Sequence, residues 1–293
     1  MEDLELYKKC LKLPEADFQR IEHEEAMVAK VYAVTAPAGK FILKISDRPN
    51  DYYREVFFLK QLVGKLKVPK IIQAIPPSTQ NTSGAILMER LPGSLLKIGE
   101  LTTALAFEIG QNLALIHLNR LPGYGDPHQH TLSQDQEPYF TLKFEEGLAE
   151  CSRQFPKRLL ERCRQYYAVN VHLLREVDGP CFAHRDYRPG NLMVHEGKLQ
   201  GVIDWARARA SFAEEDFCSI EHGEWISGPE LKQALLAGYE RVRTIPNYAP
   251  LIPFLRLNKI IAIMGLIVRS GSWQNSASRL YQYNMQALET LLN

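Results

Sequence analysis

The chain has 293 residues, which is long enough for one large domain or for two lobes that share a cleft. Its 35 Lys and Arg residues nearly balance its 34 Asp and Glu residues, so a formal net charge of +1 gives no general attraction to nucleic acid or to an anionic membrane. A hydrophobic content of 45% is typical of a folded globular protein and argues against extensive disorder.

The first 90 residues have the pattern of a small β-sheet lobe with one helix. The pattern predicts, in chain order, an amphipathic helix within 1–16, a hairpin of 31–35 and 41–45 around Pro-Ala-Gly, a helix that begins at Asn50-Asp51, and strands within KIIQAIPP and GAILMERLPG. The Pro-Gly pair after the last strand predicts a break there.

After about residue 95 the periodicity becomes helical. Apolar spacing predicts long helices in 101–120 and 157–176, short strands in 192–195 and 199–203, and helices in 213–225, 229–243, 250–270 and 276–292. The segment 123–138 has loop composition. The order of elements predicts an α+β fold with two lobes, an N-terminal lobe of 1–90 and a mainly helical lobe of 91–293.

Five features of this chain carry side chains suited to phosphoryl transfer, and they occur in a fixed order. They are Lys44 in FILKIS, Glu55 in YYREVFFL, the connector residues Glu89, Arg90 and Leu91 in MERLPG, Asp186 and Asn191 in HRDYRPGN, and Asp204 in GVIDW. Transfer from ATP needs a lysine on the phosphates, a carboxylate that holds that lysine, a carboxylate for the attacking hydroxyl, and oxygen ligands for Mg²⁺. Singly, Lys44 or Glu55 could equally be a surface charge.

On these motifs the sequence resembles the protein-kinase-like superfamily, and more closely its aminoglycoside phosphotransferase and choline kinase branch. The resemblance spans about residues 25–225 and implies a bilobal kinase-like fold with ATP and Mg²⁺ as cofactors. It implies that Lys44 and Glu55 bind nucleotide phosphates, that Asp186 is the catalytic base, and that Asn191 and Asp204 are metal ligands. Backbone groups of Glu89 to Leu91 would then bind adenine. The pair Ile116-His117 also resembles this branch.

The spelling His-Arg-Asp is also that of protein kinases, so the acceptor class needs a second criterion. A protein kinase has Asp-Phe-Gly and a long activation segment, whereas here Asp204 is followed by Trp205 and, twelve positions on, by Asp216 at the start of a helix. This short path favours a small-molecule kinase over a protein kinase. Arg188 suits contact with the γ-phosphate, or it could pair with neighbouring acidic residues.

The expected phosphate-binding hairpin departs from the usual pattern. The stretch RIEHEEAMVAKVY contains no glycine and places His23, Glu24 and Glu25 where glycine-rich backbone normally contacts phosphate. Two carboxylates there would repel a triphosphate unless they point to solvent. A weakly active or non-catalytic nucleotide or small-molecule binding protein therefore remains the alternative to an active enzyme.

Acidic composition around the expected acceptor site favours a cationic acceptor, such as an aminoglycoside-like or choline-like amino alcohol. Segment 124–150 carries six acidic residues against one basic residue, and further carboxylates follow in 214–224. Glu221, Glu224 and Trp225 are the candidate acceptor-binding residues. An acidic face in contact with solvent is the simpler explanation of most of these carboxylates.

Other clusters in the sequence favour ordinary structural roles. Asp126 and the histidines of DPHQH lack further ligands at metal-binding spacing, and the basic residues of 157–164 have helical periodicity with few aromatics, unlike a nucleic-acid site. Five scattered cysteines predict no disulfide framework, the N-terminus lacks the build of a signal peptide, and the longest apolar run is too short to span a bilayer. We expect a cytoplasmic monomer or weak homodimer that binds a small molecule but no nucleic acid or membrane.

Overall fold

A computed structural model describes residues 4–22, 29–78, 83–129, 131–275 and 278–293. The strands described there are β1 (Asp17–Ile21), β2 (Ala29–Ala36), β3 (Gly39–Ser46), β4 (Ile71–Ile75), β5 (Gly84–Glu89), β6 (Ser94–Leu95), β7 (Cys181–Ala183), β8 (Leu192–His195), β9 (Lys198–Val202) and β10 (Arg209–Ser211). The helices are α1 (Leu4–Cys10), α2 (Pro49–Leu62), α3 (Thr103–His117), α4 (Glu137–Cys151), α5 (Lys157–Asn170), α6 (Glu214–Gly223), α7 (Pro229–Glu240), α8 (Ile252–Ser270) and α9 (Ser278–Leu292).

The N-terminal part is a five-stranded antiparallel sheet in the order β1-β2-β3-β5-β4. The predicted hairpin is confirmed as β2 and β3, which pair from Ala29 opposite Ser46 to Ala36 opposite Gly39. Gly39 closes the turn with a positive φ of 133°, which L side chains rarely adopt. The predicted α+β fold is confirmed, since the remaining chain is mainly helical.

Helix α2 packs against both parts of the molecule. Pro49 lies in its first turn, where a missing N–H costs nothing, and its buried face carries Phe58, Leu59 and Leu62. The ring of Phe58 stacks on Trp205 of the C-terminal part at 6.0 Å between centroids. Residues of α2 therefore enter the large core of the C-terminal part, and the helix fixes the N-terminal sheet to it.

Two pairs of helices in the C-terminal part pack at very short distance because glycine lines each contact. A Cβ atom at Gly110 of α3 would lie 1.9 Å from the Leu235 carbonyl oxygen of α7, and one at Gly238 would lie 2.0 Å from the Phe107 carbonyl oxygen. No side chain fits there, so these glycines set the α3–α7 distance. Helices α4 and α8 form the second close pair.

The helical stretch Ala249–Ser270, which consists of α8 and the short turn before it, is long and apolar enough to cross a membrane. Over half of its most apolar stretch is buried inside the protein, where it packs on α4, α5, α6 and α9. Its burial identifies it as a core helix. The sequence pattern predicted a helix here, and the structure confirms it.

Strand β1 and helix α4 are elements that the sequence patterns did not predict. The pattern of β1 is exposed along most of its length, so it lacks the alternation of a half-buried strand. Helix α4 follows directly on the loop-like segment, although Phe140, Phe144, Leu148 and Cys151 form a buried stripe with helical spacing. The remaining predicted helices and the β8–β9 hairpin lie at or near their expected positions.

Candidate active site

Lys44 on β3 lies between two carboxylates at the junction of the two parts. Its Nζ is 2.6 Å from Glu55 Oε2 of α2 and 2.8 Å from Asp204 Oδ1, and the lysine and Glu55 are buried. Burial alone would lower the pKa of the Lys44 ammonium, but Asp204 and Glu55 outweigh it and raise that pKa above its ordinary value. Residues of β3, of α2 and of the segment after β9 thus form one charged cluster in which the lysine stays protonated.

Asp204 follows β9 in a left-handed conformation, with φ 62° and ψ 68°. Burial favours the neutral acid, yet Lys44 and its hydrogen bond hold the pKa of Asp204 at about 2. The carboxylate is 42% exposed, so it can contact a ligand as well as Lys44. Beneath it, the fully buried Trp205 donates its indole N–H to the Val202 carbonyl and meets His184 edge to face.

The loop between β7 and β8 presents Asp186 with Arg188 and Asn191. Asn191 Nδ2 donates to the Asp186 main-chain carbonyl at 2.8 Å and to its Oδ2 at 3.0 Å, while Arg188 Nε donates to Oδ1 at 3.2 Å. Burial would raise the pKa of the Asp186 carboxyl, but Arg207 and Arg188 outweigh burial and lower it. Asp186 is therefore an ionised carboxylate held in one orientation.

Asp216, at the start of α6, braces this loop from below. Its carboxylate accepts the main-chain N–H groups of His184 at 2.8 Å and of Arg185 at 2.6 Å, and Arg185 has a positive φ of 64°. His117 Nε2 lies 3.0 Å from the same carboxylate and its Nδ1 lies 2.9 Å from Tyr239 Oη. Three donors converge on one fully buried carboxylate, which fixes the strained loop that carries Asp186.

A metal ion fits between Asn191 and Asp204 by the chemistry of the donors. The Asn191 amide nitrogen donates to Asp186, which leaves its amide oxygen for a cation, and Asp204 supplies an ionised and partly exposed carboxylate. Amide and carboxylate oxygens are the ligands that Mg²⁺ prefers. In the part of the chain that the structure describes, no group of three His, Cys, Asp or Glu residues offers a rival metal site.

The connector residues lie where β5 leaves the sheet. Glu89 and Arg90 are exposed and Leu91 is half-buried. Glu89 pairs with Lys70, since the Glu89 N–H donates to the Lys70 carbonyl at 2.9 Å. His23, Glu24 and Glu25, from the stretch without glycine, lie outside the described residues, between the end of β1 and the start of β2.

The three candidate acceptor residues lie around the C-terminal end of α6. Glu221 forms an ion pair with Lys232 of α7 at 2.6 Å, and Glu221 and Glu224 line a cavity of about 280 Å³ between these helices. Trp225 is 2% exposed and belongs to the large core, where it contributes apolar packing. Contact of these residues with an acceptor stays a prediction.

Most carboxylates of segment 124–150 are engaged by cationic side chains. Asp126 binds Arg54 and Arg209, Glu145 binds Arg164, Glu146 binds Lys143, and Glu150 binds Arg153, at N–O distances of 2.6 to 3.3 Å. His128 of the same loop stacks on Tyr53, and His130 is outside the described residues. Composition alone overstates the negative charge that this segment can offer to a ligand.

Two sets of residues at or near the site were not predicted from the sequence. Arg54 precedes Glu55 on α2 and binds Asp126, and Arg256 and Lys259 of α8 contact α6 next to the catalytic loop. Each set depends on a contact between distant segments, and neither has a diagnostic spacing. Only the neighbouring position of Arg54 to Glu55 could have directed attention to the first.

Comparison with known proteins gives a consistent result. The sequence model of the phosphotransferase enzyme family matches residues 23–254. The fold is similar to that of a thermostable mutant of aminoglycoside phosphotransferase APH(4)-Ia, solved with AMP-PNP and hygromycin B, with a TM-score of 0.72, 11% identity and coverage of 98% of this chain and 97% of that one. A search of curated proteins found no match.

Two further solved structures are similar in fold. ADP-bound aminoglycoside phosphotransferase APH(2'')-Ib has a TM-score of 0.66 and 14% identity, with 99% of this chain and 98% of that chain covered. The gentamicin complex of APH(2'')-IIa has a TM-score of 0.67 and 14% identity, with 98% and 96% covered. At these identities the likeness concerns the fold.

Proposed function

Because the chain belongs to the phosphotransferase enzyme family, we propose that it transfers the γ-phosphoryl group of ATP, with Mg²⁺, to a hydroxyl group of a small molecule. The observation that carries this proposal is the cluster in which Lys44 lies 2.6 Å from Glu55 and 2.8 Å from Asp204. Nucleotide complexes of two structural neighbours, with AMP-PNP and with ADP, support ATP as the donor.

The proposed nucleotide site uses residues of both lobes. Lys44, kept protonated by its partners, neutralises phosphate oxygens, and Glu55 holds the lysine in position. The backbone of Glu89 to Leu91 binds adenine at the connector. In this scheme residues 1–90 form the nucleotide-binding lobe, and residues 91–293 supply the catalytic loop and the acceptor site.

Asn191 and Asp204 are the proposed ligands of Mg²⁺, which when bound offsets negative charge on the phosphates. Asp186 accepts a hydrogen bond from the attacking hydroxyl and takes up its proton as the oxygen–phosphorus bond forms. Because its pKa is lowered, Asp186 is ionised at neutral pH, and it orients the hydroxyl before it accepts the proton. Arg188, which contacts Asp186 at 3.2 Å, is placed to bind the transferred phosphoryl group.

A short chain path favours a small acceptor over a peptide. Only the 3-10 turn Trp205–Arg207 and strand β10 separate Asp204 from α6, and β10 pairs with β7. This path contains no long activation segment of the kind that protein kinases use as a peptide platform. Amino alcohols are the acceptor class favoured by composition, and the hygromycin B and gentamicin complexes of the neighbours support it.

The experiment that tests the proposal measures ADP formation and nucleotide binding together. We expect ADP to raise the melting temperature of the protein only modestly without Mg²⁺ and more with it, because a ligand that binds the native state stabilises it by mass action. ADP formation should be lost in Asp186→Asn while the ADP-induced stabilisation persists. If ADP stabilises the protein but no ADP forms from ATP with any of the acceptors tested, the result would instead support the non-catalytic alternative.

A further inference from the structure

Helix α8 places two cationic side chains against α6, next to the catalytic loop. Lys259 Nζ donates to Ser219 Oγ of α6 at 2.9 Å, and that hydroxyl lies 3.4 Å from the carbonyl oxygen of Arg185, the residue before Asp186. Arg256 lies one turn earlier on the same face and donates to the Glu221 carbonyl at 3.0 Å. The Lys259 ammonium is therefore one hydroxyl group away from the main chain of the catalytic loop.

Neither cation forms an ion pair with a carboxylate in the ranges that the structure describes. Their hydrogen bonds go to neutral oxygens, the hydroxyl of Ser219 and the carbonyl of Glu221. Arg256 Nε and the nearby His222 Nδ1 are buried without a hydrogen-bond partner. Partly buried cations are normally paired, so this face has unused capacity to bind negative charge.

Carboxylates of the catalytic loop and of α6 have other partners, including Glu221, which pairs with Lys232 at 2.6 Å. Asp216 holds the loop and His117, Asp186 is bound by Arg188 and Asn191, and Glu215 pairs with Arg185 at 3.0 Å. Burial lowers the pKa of Lys259, and the charge of Asp186 opposes this effect. Burial, together with Lys259 and Arg256, lowers the pKa of His222 to about 4, so this histidine is neutral and contributes only a ring nitrogen.

We infer that the acceptor carries an anionic group, a carboxylate or a phosphate ester, which Lys259 and Arg256 bind while its hydroxyl lies against Asp186. This inference rests on the proposed phosphotransfer but replaces the cationic amino alcohol that composition favours, because most carboxylates of 124–150 already pair with cationic side chains. In the reaction the acceptor oxygen bonds to the γ-phosphorus, the bond from that phosphorus to the β,γ-bridging oxygen breaks, and ADP leaves. The hydroxyl proton passes to Asp186 and then to solvent.

The test uses acceptors that share a carbon skeleton and differ in charge. One set is glycerol, glycerate, glycerol 3-phosphate and 3-amino-1,2-propanediol, and the second is sorbitol, gluconate, sorbitol 6-phosphate and glucamine, with gentamicin and hygromycin B as larger cations. We expect an anionic member to give at least about tenfold higher kcat/KM than the cationic member of its set, as one charged hydrogen bond provides. Comparison of kcat/KM for the carboxylate and phosphate members shows which anion the site prefers.

Variants of α8 separate charge recognition from a structural role. Lys259→Gln should lower the ratio of kcat/KM for the anionic over the cationic member by about tenfold, chiefly through KM, and Lys259→Arg should retain the ratio. The matched control is Arg269→Gln, which removes one charge from the exposed end of the same helix, where the side chain is 52% exposed. That variant should keep both the rate and the ratio.

The possible failures are distinguishable. A preference for cationic or neutral members, or no effect of any anionic member on ADP formation, overturns the anionic assignment but leaves phosphotransfer standing. An unchanged ratio in Lys259→Gln also overturns it. Absence of ADP formation under every condition, with no stabilisation by Mg²⁺ and ADP, overturns the proposed function itself.

Discussion

Arg54 on α2 and Asp126, in the loop after α3, join the N-terminal part of the molecule to the helical C-terminal part through two parallel hydrogen bonds. Arg54 Nε donates to Oδ1 at 2.8 Å and the terminal nitrogen Nη2 donates to Oδ2 at 2.9 Å. Arg209, whose guanidinium lies 3.5 Å from the centre of the Tyr139 ring, holds the same carboxylate from the other side. Arg54 precedes Glu55 on α2, and Glu55 binds Lys44 of β3. We therefore expect the Arg54–Asp126 pair to help position α2.

Breaking this pair should impair nucleotide use. Arg54→Gln loses the bidentate geometry, and we expect kcat/KM for ATP to fall by about tenfold because Glu55 is held less well. Arg164→Gln is the control, since Arg164 contacts Glu145 in a similar way while both side chains are about half exposed. Equal kinetics for the two variants would show that the contact between Arg54 and Asp126 does not position α2.

Variants of the charged cluster at Lys44 distinguish the effect of Lys44 on stability from its effect on activity. Lys44→Met leaves Glu55 buried without its cation and should destabilise the protein by about 3–5 kcal/mol while abolishing ADP formation. Adding Glu55→Gln removes the uncompensated charge, so the double variant should regain most of that stability and none of the activity. Urea denaturation and an ADP assay measure the two effects. Recovery of activity in the double variant contradicts the role of Lys44.

The brace at Asp216 predicts a dependence of stability on acid. Burial would raise the pKa of this carboxyl, but His117 and the main-chain donors outweigh burial and lower it. A lowered pKa means that ionised Asp216 stabilises the fold above about pH 4, the value for an unfolded chain, and that this contribution is lost as the pH falls through the folded value. Asp216→Asn should cost about 2–3 kcal/mol at pH 7, measured by urea denaturation.

At a pH below the folded value, the wild type and Asp216→Asn should converge in stability. Ser219→Ala is a useful comparison, since it changes the same helix and leaves the carboxylate intact. A difference between wild type and Asp216→Asn that stays constant from pH 7 to pH 3 would show that the hydrogen bonds depend little on the charge of Asp216.

The elements with local signals were predictable from the sequence. The β2–β3 hairpin, α2 and the β8–β9 hairpin each combine a period with a turn or start residue, and the motif HRDYRPGN specifies its own loop. Asp216 was expected at the start of the next helix, and the structure places it there. Local pattern and tertiary fold agree in these segments, as foldable sequences require.

The rest depends on partners distant in sequence. The spacing of α8 does not show that Lys259 contacts Ser219. The sequence of an apolar helix with two cations does not reveal which face of the helix is buried. Acidic counts in 124–150 predicted a negative surface, but ion pairs such as Glu145 with Arg164 form only in the folded chain. Charge available to a ligand is a property of the fold, and composition records only the total.

For Glu214, at the start of α6, we expect the contribution to stability to depend on pH in the opposite direction from that of Asp216. The carboxyl is 1% exposed, its Oε1 accepts the Asp178 N–H at 2.9 Å, and its Oε2 has no hydrogen-bond partner in the described structure. Burial raises the pKa of Glu214 to about 7. The unfolded chain therefore loses this proton at lower pH than the folded protein does, and stability falls as the pH rises from about 4.5 through 7.

A substitution that removes the titration should remove this loss. Glu214→Gln keeps an oxygen for the Asp178 N–H and cannot ionise, so we expect it to be more stable than the wild type at pH 8, by roughly 1–3 kcal/mol, and similar to it at pH 5. Urea denaturation at the two pH values measures the difference. The control is Glu145→Gln, whose carboxylate is 45% exposed and should show no such gain. If Glu214→Gln is equally or less stable than the wild type at pH 8, then Glu214 is ionised in the fold and its burial costs little.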